Sequence, residues 1–461
     1  MGRMRQFRDP GLSLWQSAVD EVIAKRKGGA QSEAAGAPRV ISQRPDSGDM
    51  MMREAMAYCN AADSGQPLPE ATAVGPAATE GLVHTAGFCS LVALKLAKAT
   101  ITGNKAEIQR YKDEMGKFSD CDPGYAEAAA TYAAYFVAQN KDIPYRVYKN
   151  IGDFVIDGKL PESATIAVIG DWGTGQDAAK QVLQQIARKN PDVVIHLGDI
   201  YYCCTEFEAT NYFYNPWKQI LGLGTNKTIT YTLPGNHDMY SGGVAYYNLI
   251  DKLGQPASYF CLRNKNWQFV AIDTAYNDHN PAGGGGGDTF LRDTEVAWLQ
   301  DKIQKAGGRQ TILLSHHQLF TAYDSIAGHE TNLRLYAQVK DLLGEIPLWL
   351  WGHEHNFVVY GPYMGLTRGR CLGHGAFPVG QDEVVKQAKF PAVPLITDQN
   401  NAAIQLGITE GLCNHGYAVI RLEGASATVS YYQDSDEGNP IYQETIAERS
   451  SEMSQQAGSG T

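Results

Sequence analysis

The chain has no cluster of lysines and arginines, no cysteine framework and no unbroken apolar segment long enough to cross a bilayer. Each absence excludes a class of protein. Lys and Arg total 39 against 50 Asp and Glu, a formal net charge of −11. The basic face with which phosphate-tracking proteins hold nucleic acid is therefore not expected. Eight cysteines (Cys59, Cys89, Cys121, Cys203, Cys204, Cys261, Cys371, Cys413) lack both zinc-ligand spacing and the density of a disulfide scaffold. They read as ordinary thiols, the adjacent Cys203-Cys204 included. The most apolar helical stretch, 81–99, is interrupted by His84, Lys95 and Lys98, so no membrane span is expected. Basic residues at the N-terminus have no apolar segment behind them, so neither does a secretory signal. A cytoplasmic location is the resulting expectation.

What is present divides along the chain. Its 461 residues, 43% of them hydrophobic, exceed one typical domain. Residues 1–150 carry alanine-rich helical patterns near 11–26, 50–62, 80–101, 104–117 and 124–140, broken by a Gly/Ala/Ser/Pro-rich linker at 28–48. They hold no constellation of chemical groups. A helical cap or interaction module, mediating oligomerisation or protein contact, is expected there. Residues 160–440 alternate strand-like and helix-like segments, the rhythm of a layered α/β domain. Helices are expected at 176–190, 206–221, 291–306 and 331–344, and a hairpin at 416–422 with 427–432. Gly283–Gly287 reads as a loop and 445–461 as a flexible tail.

Five apolar runs within 160–440 each end in a hard ligand. They are Ile166-Ala167-Val168-Ile169-Gly170-Asp171, Val193-Val194-Ile195-His196-Leu197-Gly198-Asp199, Tyr231-Thr232-Leu233-Pro234-Gly235-Asn236-His237, Ile312-Leu313-Leu314-Ser315-His316-His317 and Leu348-Trp349-Leu350-Trp351-Gly352-His353-Glu354-His355. Short β-rich runs of this length read as buried strands, and open α/β sheets collect ligands beyond the carboxyl ends of their strands. A single Gly-Asp after a strand is usually a turn, and a single buried His is usually a core residue. Turn chemistry does not account for all five together. The conjunction predicts a polynuclear metal site and with it hydrolytic chemistry; two paired ions can activate water and clamp a phosphoryl group. The acidic composition is no obstacle, since bound cations dominate the local field. A carboxylate with two oxygens suits Asp199 to bridging. Asp171 would then serve one ion and Asn236 the other, with His353 and His355 divided between them and His316 completing the second.

The order Gly-Asp-x-Gly (170–173), Gly-Asp-x-x-Tyr (198–202), Gly-Asn-His-Asp (235–238), His316 and Gly-His-x-His (352–355) resembles the calcineurin-like metallophosphoesterase superfamily, and within it the purple acid phosphatases. The resemblance implies a metallophosphoesterase-like layered β-sandwich flanked by helices, with the N-terminal α-helical region separate. It further implies a first ion on Asp171, Asp199, Tyr202 and His355, and a second on Asp199, Asn236, His316 and His353. Most of the superfamily has Asp-x-His in the first block; here position 173 is Gly, and Tyr202 is the replacement the resemblance offers. A phenolate there implies Fe(III), with Fe(II), Zn(II) or Mn(II) at the other site. Asn236, His237 and His317 would touch substrate, and His237 and His329 would be the catalytic histidines, His329 as proton donor. Periodicity does not separate His316 from His317 as the ligand; the family pattern favours His316. His196 is expected in the core, and Asp238 and Asp273 behind the ligands.

The implied activity is hydrolysis of a small phosphate monoester by direct attack of a metal-bound hydroxide. A phosphodiesterase acting on nucleotide or phospholipid head groups is the alternative. A recruitment or scaffold protein with a vestigial metal site is the alternative of another class, disfavoured by the intact ligand set.

Overall fold

The computed structural model describes residues 142–448, except 226, 280–286 and 382–386. The helices expected before residue 141, the 28–48 linker, most of Gly283–Gly287 and most of the expected tail lie outside the described residues.

Among the described residues, fifteen strands, numbered β1–β15 in chain order, form two large sheets and a small hairpin. One sheet runs β1 (Val155–Asp157), β5 (Phe260–Arg263), β6 (Trp267–Ala271), β7 (Gln310–Leu314), β8 (Leu348–Trp351), β10 (Gly369–Leu372), β9 (Phe357–Val359). Its centre, β6 to β10, is parallel. The other runs β15 (Tyr442–Ile446), β14 (Ser426–Gln433), β13 (Gly416–Glu423), β2 (Ser163–Ile169), β3 (Val193–His196), β4 (Ile229–Thr232). Here β2, β3 and β4 are parallel, while β13, β14 and β15 are antiparallel. The expected hairpin is β13–β14. β11 (Ile408–Thr409) and β12 (Leu412–Cys413) stand apart.

The period of two along each strand decides what covers it. Ile166, Val168, Val193 and Ile195 face Phe269, Ala271, Ile312, Leu314, Leu348 and Leu350, filling the space between the sheets. The intervening residues Ala167, Ile169 and Val194 point outward onto the helix Asp177–Arg188. That helix meets them with Ala179, Val182, Leu183 and Ile186, an apolar stripe at helical spacing. On the opposite face Val270, Leu313, Trp349 and Trp351 pack on the helices Asp293–Gln304 and Leu333–Val339. The result is a β-sandwich between two helical layers. The region expected as one helix at 206–221 is three abutting segments, Glu206–Glu208, a π-helical Ala209–Tyr214 and Asn215–Leu221. The helix Val244–Leu253 was not foreseen. The expected tail also begins too early, because β15 continues to Ile446.

One buried ion pair ties the sheets together. Arg370 on β10 donates to both oxygens of Glu444 on β15, at 2.8 and 2.7 Å, and Tyr431 adds a third bond at 2.8 Å. Removing one partner of a buried pair strands the other charge, at a cost of about 3–5 kcal/mol. Glu444→Ala should therefore lower the urea midpoint of unfolding with little change in slope. A midpoint like the parent's would show that the pair holds nothing.

Candidate metal centre

The ends of five parallel strands meet on one rim, as expected. Asp171 follows β2, Asp199 follows β3, and Asn236 and His237 follow β4; His316 follows β7, and His353 and His355 follow β8. The two sheets are joined at this rim. His353 N–H donates to Asp171 Oδ2 at 2.9 Å, and beyond β10 the N–H groups of Gly375 and Ala376 donate to the carbonyls of Gly170 and Asp171, each at 3.1 Å. Two glycines make the approach possible. A Cβ on Gly235 would lie 2.0 Å from Asp199 Oδ1, and one on Gly352 would lie 2.5 Å from Asp171 Oδ2. Three of the gathered residues, Asp171, Asp199 and His353, hold left-handed backbone at φ 55°, 75° and 66°. That region is costly for most residues other than Gly, and Asn, Asp and His are the side-chain-bearing residues that enter it most readily.

The side chains form two groups sharing Asp199. In the first, Tyr201 Oη is 3.1 Å from Asp171 Oδ1, 3.1 Å from Asp199 Oδ2 and 2.8 Å from His355 Nε2; His355 Nε2 is 3.4 Å from Asp171 Oδ1. In the second, Asn236 Oδ1 is 3.0 Å from His316 Nε2 and 3.1 Å from His353 Nδ1. The two ring nitrogens are 3.3 Å apart, and His316 Nε2 is 3.5 Å from Asp199 Oδ1. Donor atoms about 2.0–2.1 Å from one cation stand roughly 2.8–3.4 Å from one another. Both groups are within about 0.1 Å of that spacing.

The protonation pattern points the same way. His316 Nδ1 donates to the Leu197 carbonyl at 3.0 Å, and burial holds the ring's pKa well below the usual imidazole value. Nε2 therefore presents a lone pair. It faces Asn236 Oδ1, also an acceptor, whose amide nitrogen donates to the Tyr240 hydroxyl. Two acceptors converging on one point, with His353 Nδ1 beside both, suit a cation between them. Asp199, wholly buried, has its pKa driven well up by burial and then by the charges of Asp171 and Asp238. Among the described residues no lysine or arginine pairs with Asp171 or Asp199; their ion-pair partners are histidines. The residues fit a pair of metal ions.

Asp238 organises the rim from behind. Its Oδ2 accepts from the N–H groups of Asp199 (2.9 Å) and Gly235 (2.7 Å), and its Oδ1 accepts from Ile200 (3.2 Å). His237 Nδ1 donates to the Tyr202 carbonyl at 2.8 Å, leaving Nε2 3.9 Å from Asp199 Oδ2. His196 lies in the core, bonded to Thr232 at 3.0 Å and packed on Phe213, its pKa pushed down to about 3 by burial. Asp273 bonds the segment after β6 and takes no part in the groups themselves.

Three expectations change. The phenol among the carboxylates is that of Tyr201, not Tyr202. Residue 202 meets the site through its main chain, whose carbonyl accepts from His237 Nδ1 and whose N–H donates to Glu208. His317 has no ring nitrogen left for substrate, since Nδ1 is 3.0 Å from Thr274 Oγ1 and Nε2 is 3.0 Å from Asp278 Oδ2. His329 is exposed on the Ile326–His329 turn, where its main chain bonds Ile326; among the described residues no hydrogen bond joins it to the groups. Sequence reading missed Phe377, stacked on the His355 ring at 3.9 Å and 5.0 Å from Tyr201. Nothing local to Phe377 signals that role. Among the described residues the cysteines are buried.

Residues 164–357 match the calcineurin-like phosphoesterase family. A curated relative, the glycerophosphodiester phosphodiesterase GpdQ of Enterobacter lignolyticus (strain SCF1), is 29% identical over 180 residues, 37% of this chain and 59% of the relative. The chain thus spans about three-fifths of the length of that relative. Among solved structures, a dimetal phosphatase from Danio rerio aligns at TM-score 0.40 with 12% identity, covering 62% of this chain and 99% of that one. GAP50, the anchor in the inner membrane complex of Plasmodium, aligns at TM-score 0.40 with 13% identity, covering 62% and 90%. From 164 to 357 the chain is a calcineurin-like phosphoesterase domain.

Proposed function

We propose that this chain is a dinuclear-metal phosphoesterase hydrolysing phosphate monoesters. The observation that carries the reading is the pair of donor groups at coordination spacing on one rim, joined through the two oxygens of Asp199. The first ion would be held by Asp171, Asp199, Tyr201 and His355, and the second by Asp199, Asn236, His316 and His353. Two such ions supply an activated water and a positive clamp for the phosphoryl oxygens. The chain's own residues do the rest. Tyr240 fixes the Asn236 amide so that its oxygen faces the second group. His237, its Nδ1 anchored on a carbonyl, offers Nε2 to the phosphoryl group. Phe377 covers His355 and Tyr201 and keeps bulk water from them. In purple acid phosphatase manner the phenolate favours Fe(III) at the first site, with Fe(II), Zn(II) or Mn(II) at the second.

A phosphodiester substrate is the second reading, favoured by the diesterase among the relatives. Assaying a mono- and a bis-ester of one leaving group decides between them. A kcat/KM higher for the monoester supports the first reading, and one higher for the diester transfers the chain to the second. Two bound ions with neither ester cleaved would favour a scaffold with a vestigial site. Metal identity has its own readout. Iron on a phenolate gives a visible charge-transfer band, which Tyr201→Phe should abolish and Tyr202→Phe should leave. The reverse result would return the ligand to residue 202.

A further inference from the structure

We propose that Asp278 and Thr274 act through His317 as a positioning unit that holds His353 in place for the second ion. The proposal deepens the dimetal reading and rests on it.

The unit lies across three neighbouring strand ends. β6, β7 and β8 are adjacent and parallel. Thr274 and Asp278 follow β6, His317 follows β7 and His353 follows β8. The wholly buried His317 is fixed at three points. Its main-chain N–H donates to Thr274 Oγ1 at 3.0 Å, and its Nδ1 and Nε2 are each 3.0 Å from Thr274 Oγ1 and Asp278 Oδ2. An imidazole bonded at both nitrogens cannot turn about its own bond to the chain without breaking one of those contacts. Its face is set against the next ring: the His317 and His353 centroids are 4.4 Å apart, inclined at 43°. On another side of His353 is the backbone of Gly287, where a Cβ would come 3.4 Å from Nε2. His353 thus rests on a fixed ring, with the Gly287 main chain near its Nε2. It needs that support, because its own backbone is left-handed and its Nδ1 must stay 3.1 Å from Asn236 Oδ1.

The segment bearing Thr274 and Asp278 is itself braced. Asp273 Oδ1 accepts from Ala275 N–H at 3.1 Å and Tyr276 N–H at 3.0 Å, and Asp278 N–H donates to the Ala275 carbonyl at 2.9 Å. Glu295, on the helix Asp293–Gln304, accepts from Asp273 N–H at 2.7 Å and from Tyr145 Oη at 2.6 Å. A continuous path therefore runs from the outer helix to a ligand of the second ion, through groups that touch neither ion nor substrate. Groups that orient metal ligands in this way typically change metal affinity by about 10–100-fold when removed.

The test measures metal binding, not only turnover. Full-length parent, Asp278→Ala and His317→Phe are stripped with chelator, then titrated with zinc while bound metal is counted. The expected result is a second dissociation constant about 10–100-fold weaker in both variants with the first unchanged. Asp278→Asn, which keeps an oxygen to accept from Nε2–H, should stay close to the parent. Metal-free variants should still unfold in one cooperative transition, at a midpoint below the parent's only to the extent that buried groups lose a hydrogen-bond partner. Parent-like second-site affinity in both Asp278→Ala and His317→Phe would overturn the proposal. So would equal loss of both ions, the mark of a general folding role. A parent that takes up no second ion would instead overturn the dimetal reading beneath it.

Discussion

Asp199→Asn should leave a folded protein that holds at most one metal ion per chain and turns over at about one-thousandth of the parent rate or less. The size follows from what the side chain does. One oxygen lies 3.1 Å from the Tyr201 phenol in the first group, while the other is 3.5 Å from His316 Nε2 in the second and accepts from His237 N–H at 3.1 Å. An amide has the same shape but replaces one oxygen with an NH2 that has no lone pair to give. One group loses a ligand outright, and the charge that offsets two cations falls by one. Losing electrostatic stabilisation of several kcal/mol at the reacting phosphoryl group corresponds to about three powers of ten in rate. Elemental analysis and kcat on the same preparation check it. Two ions per chain with near-parent turnover would remove Asp199 as the bridge.

Asp238→Ala should be the most damaging change outside the ligand groups, and chiefly through stability. The carboxylate of this buried residue accepts from three main-chain N–H groups, those of Asp199, Ile200 and Gly235. Each buried donor left without an acceptor costs about 1–3 kcal/mol. The three together should lower the unfolding free energy by about 3 kcal/mol or more, unless water enters. Because two of those donors flank the Asp199 side chain and the third precedes Asn236, metal affinity should fall as well. Asp238→Asn, keeping one acceptor oxygen, should lie between Ala and the parent. Chemical unfolding of the metal-free proteins gives the ordering. An Ala variant as stable as the parent would show the three bonds to be dispensable.

The β-sandwich and its ligand rim were legible because each block joins two independent signals, a buried strand and a ligand two to four residues beyond it. Strand periodicity places Asp171, Asp199, Asn236, His316 and His353 at strand ends, and neighbouring strands bring those ends together. Loop positions lack such a clock. Tyr201 and Tyr202 differ by one residue, and the resemblance chose the spacing that the structure does not use. His317 was read as a substrate contact because it stands beside His316. Its role is set by Asp278, 39 residues away and visible only once β6 and β7 lie side by side. Phe377 escaped for the same reason, since a stacked ring carries no mark in the chain. His329 was carried over on its position in a loop, and that loop turns it to solvent.

The left-handed turns at Asp171, Asp199 and His353 have a consequence for how this domain would erode. Each conformation costs a side-chain-bearing residue on the order of 1 kcal/mol and costs glycine almost nothing. Glycine at any of the three would relax the turn while deleting a donor. A lineage freed from catalysis would thus find sturdier folding along the very substitutions that empty the centre. Aspartate and histidine enter this region more readily than most residues, yet glycine would hold each turn at lower cost and bring no donor.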